Sequence, residues 1–438
     1  MAITTTIQIA KDRGFEQLVY NETVSNTTTK DISLDISTIP YGTTLHSRLK
    51  YTNGDIASNW SRSVSFTALS TKNVIGIAMD MSSCTFSWID MAGNRLSYFD
   101  WHEHPVYTSM SMVTTDTSRS ACQFTKIPLF YINTATSGPA GTYSEGKKCW
   151  WISDQPVPGF RPHPAFKRSS NRSNGKYIIN DAVYIGTYFG HLESLSGSGS
   201  CIGSKRNTTW HTGSSVNDYR TYCNNRNSSS YDQSGYRIFD VHDMGLIRLL
   251  TLIASGEPQT TRKWGYSTSS TSYNGTTDNK LIFFGTKSNP TVWIDDMWMR
   301  RYWYVDKLTI TNGYVHIINP FDGSEASGPG ENTYSRTPAR GFMHDVCSGR
   351  ITIGDDVHDL MEYFLPRTVS GSESSSAFRS WWETDEIFRQ AINYIWFGSC
   401  YDRWDMPSQA TPETLGLFHL NIDNDPTYST VGCRICKN

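Results

Sequence analysis

Four prolines between two aromatic, strand-like runs constrain the fold of this chain more than any other stretch. Trp150, Trp151 and Ile152 form a run with high β propensity. This run is followed by Pro156, Pro158, Pro162 and Pro164, each of which fixes φ and lacks a backbone donor. A strand pattern returns at residues 181–188. The stretch therefore predicts a rigid loop between two strands, as expected of a loop-rich fold that is mainly β.

Residues 1–68 have the pattern of a small all-β module. Ile32, Leu34 and Ile36 alternate with polar residues, which places them on one face of a strand. The sequence Asn53-Gly54-Asp55 predicts a hairpin turn. The region resembles fibronectin type III and related immunoglobulin-like modules, and the matching residues are Arg48, Lys50, Tyr51, Gly54, Asn59, Trp60 and Ser61. This resemblance implies an immunoglobulin-like β-sandwich that serves as a spacer or docking unit.

Residues 69–126 are predicted to form a β connector. Runs at residues 74–80 and 84–90 predict strands, and residues 91–94 predict a turn. On a strand, His102 and His104 would share a face and could offer two metal ligands. The sequence identifies no third ligand and Pro105 follows at once, so a surface turn is the favoured interpretation. The region resembles the β segment that precedes the lectin-like domain in phage fibres.

A series of short motifs in residues 127–438 points to one further domain. In order, the motifs are Trp151-Ile152-Ser153, Gly159-Phe160, His163-Pro164-Ala165-Phe166 and Asp181-Ala182-Val183-Tyr184-Ile185-Gly186. This series resembles the C-type-lectin-like domain of phage tail-fibre and receptor-binding proteins of the major-tropism-determinant type. The resemblance implies an α+β C-terminal part with closing strands near residues 415–421 and 431–435. The chain departs from the family around Trp293 and Asp306, where the usual glycine pair is missing.

Residues 240–254 are predicted to form the clearest helix. Apolar residues recur at three-residue steps, at Val241, Met244, Ile247, Leu250 and Ile253. Asp240 is suited to cap the start, and Gly256 is suited to end the helix. A stripe this wide indicates a helix that packs against a sheet. A second, shorter helix is predicted at residues 215–225.

Composition excludes several classes of function. The 438 residues carry a formal net charge of −2, so no large basic field is available to hold nucleic acid. Only 18% of residues are charged while 13% are aromatic, a balance common in virion proteins and on sugar-binding surfaces. No apolar run approaches the length of a membrane span, and no signal peptide is expected at the N-terminus. These features favour a virion protein assembled in the host cytoplasm, with reduced cysteines.

No catalytic residues, metal site or cofactor are predicted. Related enzymes that generate formylglycine need a reactive cysteine pair, but Cys433 and Cys436 are expected on opposite faces of one terminal strand. A glycan-cleaving fibre would need paired carboxylates across a cleft. Candidates are Asp295, Asp296, Asp355, Asp356, Glu383, Asp385 and Glu386, and the sequence brings no two of them together. Calcium-dependent sugar binding is not expected, because the motifs of animal C-type lectins are absent.

The sequence therefore predicts a non-enzymatic phage fibre protein that binds the host surface through loops of a lectin-like tip. By resemblance, the partners are a host glycan or protein, other virion proteins at the N-terminal module, and two further copies in a homotrimer. Alternatives are a capsid decoration or head-fibre protein and a glycan-active tailspike enzyme. A helix is predicted at residues 384–396, with Ile387, Ala391 and Tyr394 in the core. The candidate binding residues follow it, at Tyr401, Asp402, Arg403 and Trp404.

Overall fold

The protein is mainly β and divides into two compact units, residues 1–73 and 74–438. A computed structural model describes residues 3–25, 32, 34, 44–67, 73–80, 85–115, 121–166, 179–195, 199–227, 235–256, 280–286, 289–295, 302–311, 314–317, 333–335, 351–353, 366–369, 393–397, 420–423 and 431–437. Within this part of the chain, no helix has the length and apolar character needed to cross a membrane.

The described residues of the first unit form one five-stranded antiparallel sheet. Its strands are β1 (Ile3–Ala10), β2 (Leu18–Ser25), β3 (Thr44–Asn53), β4 (Ile56–Ala57) and β5 (Val64–Thr67). The order is β2-β1-β3-β4, and β5 also pairs with β3. The predicted hairpin is confirmed: β3 and β4 meet at a turn in which Gly54 adopts a φ of 59°. That conformation suits glycine because it has no Cβ.

The two faces of this sheet differ in character. Ile9 and Leu45 are buried on one face, and Ile32 and Leu34 pack against them. On the other face, the guanidinium of Arg48 lies over the rings of Phe15 and Trp60, at 4.0 and 4.3 Å from their centroids. The Oε1 atom of Gln8 accepts from Arg48 at 2.8 and 2.9 Å. This stack covers aromatic surface while the charge stays hydrogen-bonded.

Among the described residues from 74 to 255, the second unit has eleven strands and three α-helices. The strands are β6 (Val74–Asp80), β7 (Thr85–Ile89), β8 (Ser111–Thr115), β9 (Cys122–Pro128), β10 (Tyr131–Ala135), β11 (Lys148–Ser153), β12 (Arg161–Pro162), β13 (Ala182–Gly186), β14 (Gly190–Leu195), β15 (Gly199–Ser204) and β16 (Tyr236–Ile238). The helices are α1 (Pro105–Thr108), α2 (Val216–Asn227) and α3 (Val241–Ser255).

Two five-stranded sheets are the main layers around the core of this unit. One has the order β12-β10-β11-β6-β7, and the other has the order β16-β27-β13-β9-β8. The strand β6 belongs to the predicted connector, yet it pairs with β11 of the predicted lectin-like region. In addition, β9 runs across residue 126. The sheets thus cross the boundary drawn at residue 126, because strand pairing joins segments that are distant in sequence.

The predicted helix at residues 240–254 is confirmed as α3, which lies at the centre of the core. All fifteen of its residues are buried. The side chain of Asp240 accepts from the backbone N–H groups of His242 and Asp243, and Asp243 accepts from the backbone of Asp240 in return. Gly256 ends the helix at a φ of 72°. Local sequence signals therefore fix both ends of this helix.

The strands beyond α3 form a further sheet and two pairs among the described residues. They are β17 (Lys280–Thr286), β18 (Asn289–Asp295), β19 (Tyr302–Thr311), β20 (Tyr314–Ile317), β21 (Thr333–Ser335), β22 (Ile351–Ile353), β23 (Pro366–Val369), β24 (Asn393–Phe397), β25 (Leu420–Asp423), β26 (Val431–Gly432) and β27 (Ile435–Lys437). The sheet has the order β21-β20-β19-β24-β25, with β26 also on β19. The last strand, β27, lies between β13 and β16.

The prediction of a helix at residues 384–396 is wrong at its C-terminal end. Residues 393–397 form β24, which pairs with β19 and β25. Aromatic and β-branched side chains suit a paired strand, and the distant partners outweigh the helical spacing that the sequence shows. Ile387 and Ala391 lie outside the described residues.

Candidate functional site

The four candidate binding residues from the sequence, Tyr401, Asp402, Arg403 and Trp404, lie outside the described residues. The same holds for six of the carboxylates considered for catalysis, which are Asp296, Asp355, Asp356, Glu383, Asp385 and Glu386. Asp295 is the last residue of β18. The polar groups that the structure describes lie in other parts of the chain.

The cysteines that the structure describes are buried thiols. They are Cys122, Cys149, Cys201, Cys223, Cys433 and Cys436. Cys433 precedes β27 rather than lying within it, and Cys436 lies in that strand. Burial raises the pKa of the Cys433 thiol well above its ordinary value, and it raises the pKa of Cys149 to about 11. Thiols in such surroundings are poor nucleophiles, because the thiolate is the reactive form.

Residues 94–103 form a loop between β7 and α1, which we call the Tyr98 loop. This loop carries a polar pair near the surface, Asp100 and His102. Residues 101–103 form a short 3₁₀ turn that Asp100 caps. The Asp100 Oδ1 atom accepts from the backbone N–H of His102 at 3.0 Å and from its ring Nδ1 at 2.8 Å. The predicted turn is present and sets the orientation of the His102 ring, but it is not wholly at the surface, because His104 is buried.

Buried aromatic rings hold this loop against the core. The His102 ring stacks on Trp101, with 3.5 Å between centroids and an interplanar angle of 24°. Phe99 packs against Trp88 and Tyr107. The Tyr107 hydroxyl and the Trp88 indole both donate at 2.7 Å to backbone carbonyls of α3. The loop is therefore attached to the most deeply buried helix of the unit.

Electrostatics fix the tautomer of His102. Burial of the Asp100 carboxylate opposes its ionisation, but hydrogen bonds from His102 outweigh this effect and lower the pKa of Asp100. An ionised carboxylate accepts hydrogen bonds and donates none, so the proton of a neutral imidazole lies on Nδ1. The Nε2 atom of His102 then carries a lone pair. Among the described residues, it has no hydrogen-bond partner.

The phenol ring of Tyr98 completes the surface of this loop. Tyr98 is 70% exposed, more than Ile179 at 44% or Leu192 at 38%, the other large exposed apolar side chains described in the second unit. Its hydroxyl also contributes to the lowered pKa of Asp100. The Asp100 carboxylate thus connects the exposed ring of Tyr98 with the imidazole of His102. Sequence reasoning missed this group. The only local signal was the spacing of Asp100 and His102 beside Tyr98.

His104 does not join His102 as a metal ligand. It is buried rather than at the surface, and its Nδ1 atom accepts from the backbone N–H of Val106 at 3.3 Å. Its ring packs edge-on against Phe99 and Tyr107. Across the described ranges, no group of three or more His, Cys, Asp or Glu side chains is placed to hold a metal ion.

A second charged group joins four elements around the start of α3. Arg237 forms an ion pair with Asp243, and its Nη1 lies 3.5 Å from Asp240. The Nζ atom of Lys307 lies 3.0 Å from Asp240. Arg220 of α2 pairs with Asp306 of β19. Because Asp240 and Asp243 are both fully buried and paired, this group connects elements of the core rather than forming a reactive site.

No protein-family model matches the chain, and no curated protein matches it.

Proposed function

We propose that this chain is a non-enzymatic fibre protein of a phage virion and that it binds the surface of the host cell. In this proposal, residues 1–68 are an immunoglobulin-like module that docks to other virion proteins. The C-terminal part is a C-type-lectin-like tip, and the fibre is a homotrimer. Support for the family comes from the order of the sequence motifs, and support for a rigid scaffold comes from the mainly β fold.

The observation that carries the proposal is the construction of the Tyr98 loop. An exposed aromatic ring and an oriented imidazole are attached to a buried helix through Trp88, Trp101 and Tyr107. A binding surface benefits from such rigidity, because little side-chain freedom is lost when a ligand is bound. The described ionic groups of the core, in contrast, connect structural elements.

Adsorption to host cells tests the proposal. We propose that Tyr401, Asp402, Arg403 and Trp404 contribute a second binding surface, because aromatic rings beside charged groups suit both sugars and protein hot spots. The double variant Tyr401→Ala/Trp404→Ala should lose adsorption while its melting curve stays nearly unchanged. Ile179→Ala, which removes an exposed apolar side chain outside both proposed binding surfaces, is the control and should adsorb normally. Normal adsorption of the double variant, or collapse of its fold, would contradict this assignment.

Two measurements separate the alternatives. Electron microscopy of virions with a labelled chain should place the label on the tail, whereas a label on the head would favour a capsid decoration or head fibre. Incubation with purified host surface polysaccharide should leave its chain length unchanged. Shortened chains would show a glycan-active enzyme instead.

A further inference from the structure

We propose that the Tyr98 loop is a binding site for a neutral glycan, in which Tyr98 stacks on a sugar ring and His102 accepts a hydrogen bond from a sugar hydroxyl. This inference rests on the proposed binding function, which it deepens by naming the ligand class of one described surface. Its test uses purified protein and sugar alone, so its failure leaves attachment of the virion to cells as a separate question.

The first argument is the exposure of the Tyr98 ring. A tyrosine that is 70% exposed leaves a large apolar face in water, although its hydroxyl lies near Asp100. Burying that face against the C–H groups of a sugar ring removes apolar surface from water while the hydroxyl keeps a polar contact. Flat aromatic side chains also lose little conformational entropy on binding.

The second argument is the chemistry of His102. The Asp100 carboxylate accepts a hydrogen bond from the Nδ1–H group of His102, and stacking on Trp101 fixes the plane of the ring. In the neutral ring, the Nε2 atom is therefore a pre-oriented acceptor, and the side chain is 27% exposed, so a ligand can reach it. A hydroxyl group is a suitable donor to this atom.

The same chemistry favours neutral over acidic sugars. A ligand carboxylate would meet an acceptor atom on His102 and the ionised carboxylate of Asp100, and both contacts would be unfavourable. The guanidinium of Arg95, which belongs to the Tyr98 loop, lies over Tyr143 at 5.3 Å from its ring centroid, so this cation already has an aromatic contact. Neutral hexose chains fit these groups better than sugars that carry carboxylates.

The experiment is a titration of the purified full-length chain with neutral oligosaccharides built from glucose, galactose or mannose, followed by calorimetry. Hyaluronate oligosaccharides are the acidic comparison. We expect at least one neutral probe to bind and the acidic probe to bind at least about tenfold more weakly. Tyr98→Ala should weaken binding about tenfold, whereas Tyr98→Phe should keep most of it, because the ring rather than the hydroxyl makes the stack.

Matched variants separate the site from general effects on the fold. His102→Asn retains a donor to Asp100 in place of Nδ1 but removes the Nε2 atom, so it should weaken binding while the melting curve stays unchanged. Tyr51→Ala removes a tyrosine that is 51% exposed in the first unit, and it should bind as the wild type does. The proposal is overturned if no neutral probe binds, if only the acidic probe binds, or if Tyr98→Ala and His102→Asn bind normally.

Discussion

At the scale of single residues, the buried Arg226 lies beside His191, whose ring burial keeps neutral at neutral pH. Arg226 pairs with Glu193, and its Nε donates to a β15 carbonyl at 2.7 Å. The Nε2 atom of His191 lies 3.5 Å from Glu193. Burial, followed by the charges of Arg226 and Lys205, lowers the pKa of His191 to about 4. A Cβ at Gly203 would lie 2.6 Å from the His191 ring, so glycine makes room for this arrangement.

The lowered pKa of His191 makes stability depend on pH. Between pH 6.5, its ordinary pKa, and about 4, the unfolded chain binds a proton here that the folded chain excludes. The stabilising contribution is thus complete above pH 6.5 and is lost as the pH falls toward 4. His191→Gln should remove it, so the difference in unfolding free energy between wild type and variant should change by about 2 to 3 kcal/mol over this range. Urea titrations at several pH values measure that difference, and parallel pH profiles would contradict the assignment.

At the scale of elements, the start of α3 is fixed by both hydrogen bonds and charge. Asp240 caps the helix and also receives the ammonium of Lys307 at 3.0 Å. Lys307 adopts a φ of 59°, in the left-handed region that favours glycine, and its backbone N–H donates to Asp306 at 2.9 Å. Backbone strain of this kind persists only where the surroundings hold it. The ion pair with Asp240 and the bond to Asp306 provide that support.

Two substitutions at Asp240 separate the cap from the ion pair. Asp240→Asn keeps a capping oxygen but removes the charge opposite Lys307, and we expect it to cost about 2 kcal/mol of stability. Asp240→Ala also removes the cap and should cost about 1 kcal/mol more. Urea unfolding of both variants gives the two values. Equal stabilities of the two variants would show that the cap contributes nothing, and wild-type stability of both would contradict the whole account.

At the scale of the whole molecule, the chain consists of two compact units. The units meet in sequence at residue 73, and the sequence placed the end of the first module at residue 68. The first described strand of the second unit, β6, is paired on both sides, with β7 and β11. A fragment that begins at Val74 therefore keeps the hydrogen bonds of its first strand.

Limited proteolysis tests this division. We expect early cleavage between residues 67 and 73, followed by persistence of a large C-terminal fragment, because paired strands resist proteases better than the segments between independently folded units. Mass spectrometry of the fragments locates the cut. A chain that stays whole through this segment, or a first cut within β6 or β11, would contradict the division.

Local sequence determined the elements whose hydrogen bonds are local. The cap at Asp240, the stop at Gly256 and the hairpin at Gly54 could all be predicted, because a helix or a tight turn satisfies its backbone within a few residues. The strand at residues 74–80 was also visible from its apolar run. For the candidate site, sequence alone predicted a turn around His102 and His104. It did not predict the hydrogen bond between Asp100 and His102.

Tertiary structure alone decided which strands pair and which side chains meet. The last strand, β27, lies between β13 and β16, and Arg220 reaches Asp306 across a wide gap in sequence. Residues 393–397 became a strand because β19 and β25 supply their backbone partners. The physical reason is that a strand's hydrogen bonds come from distant segments, so its own sequence cannot name them. Likewise, His102 acquires its orientation from Asp100 and from Trp101, whose ring is fixed only when the core is packed around α3.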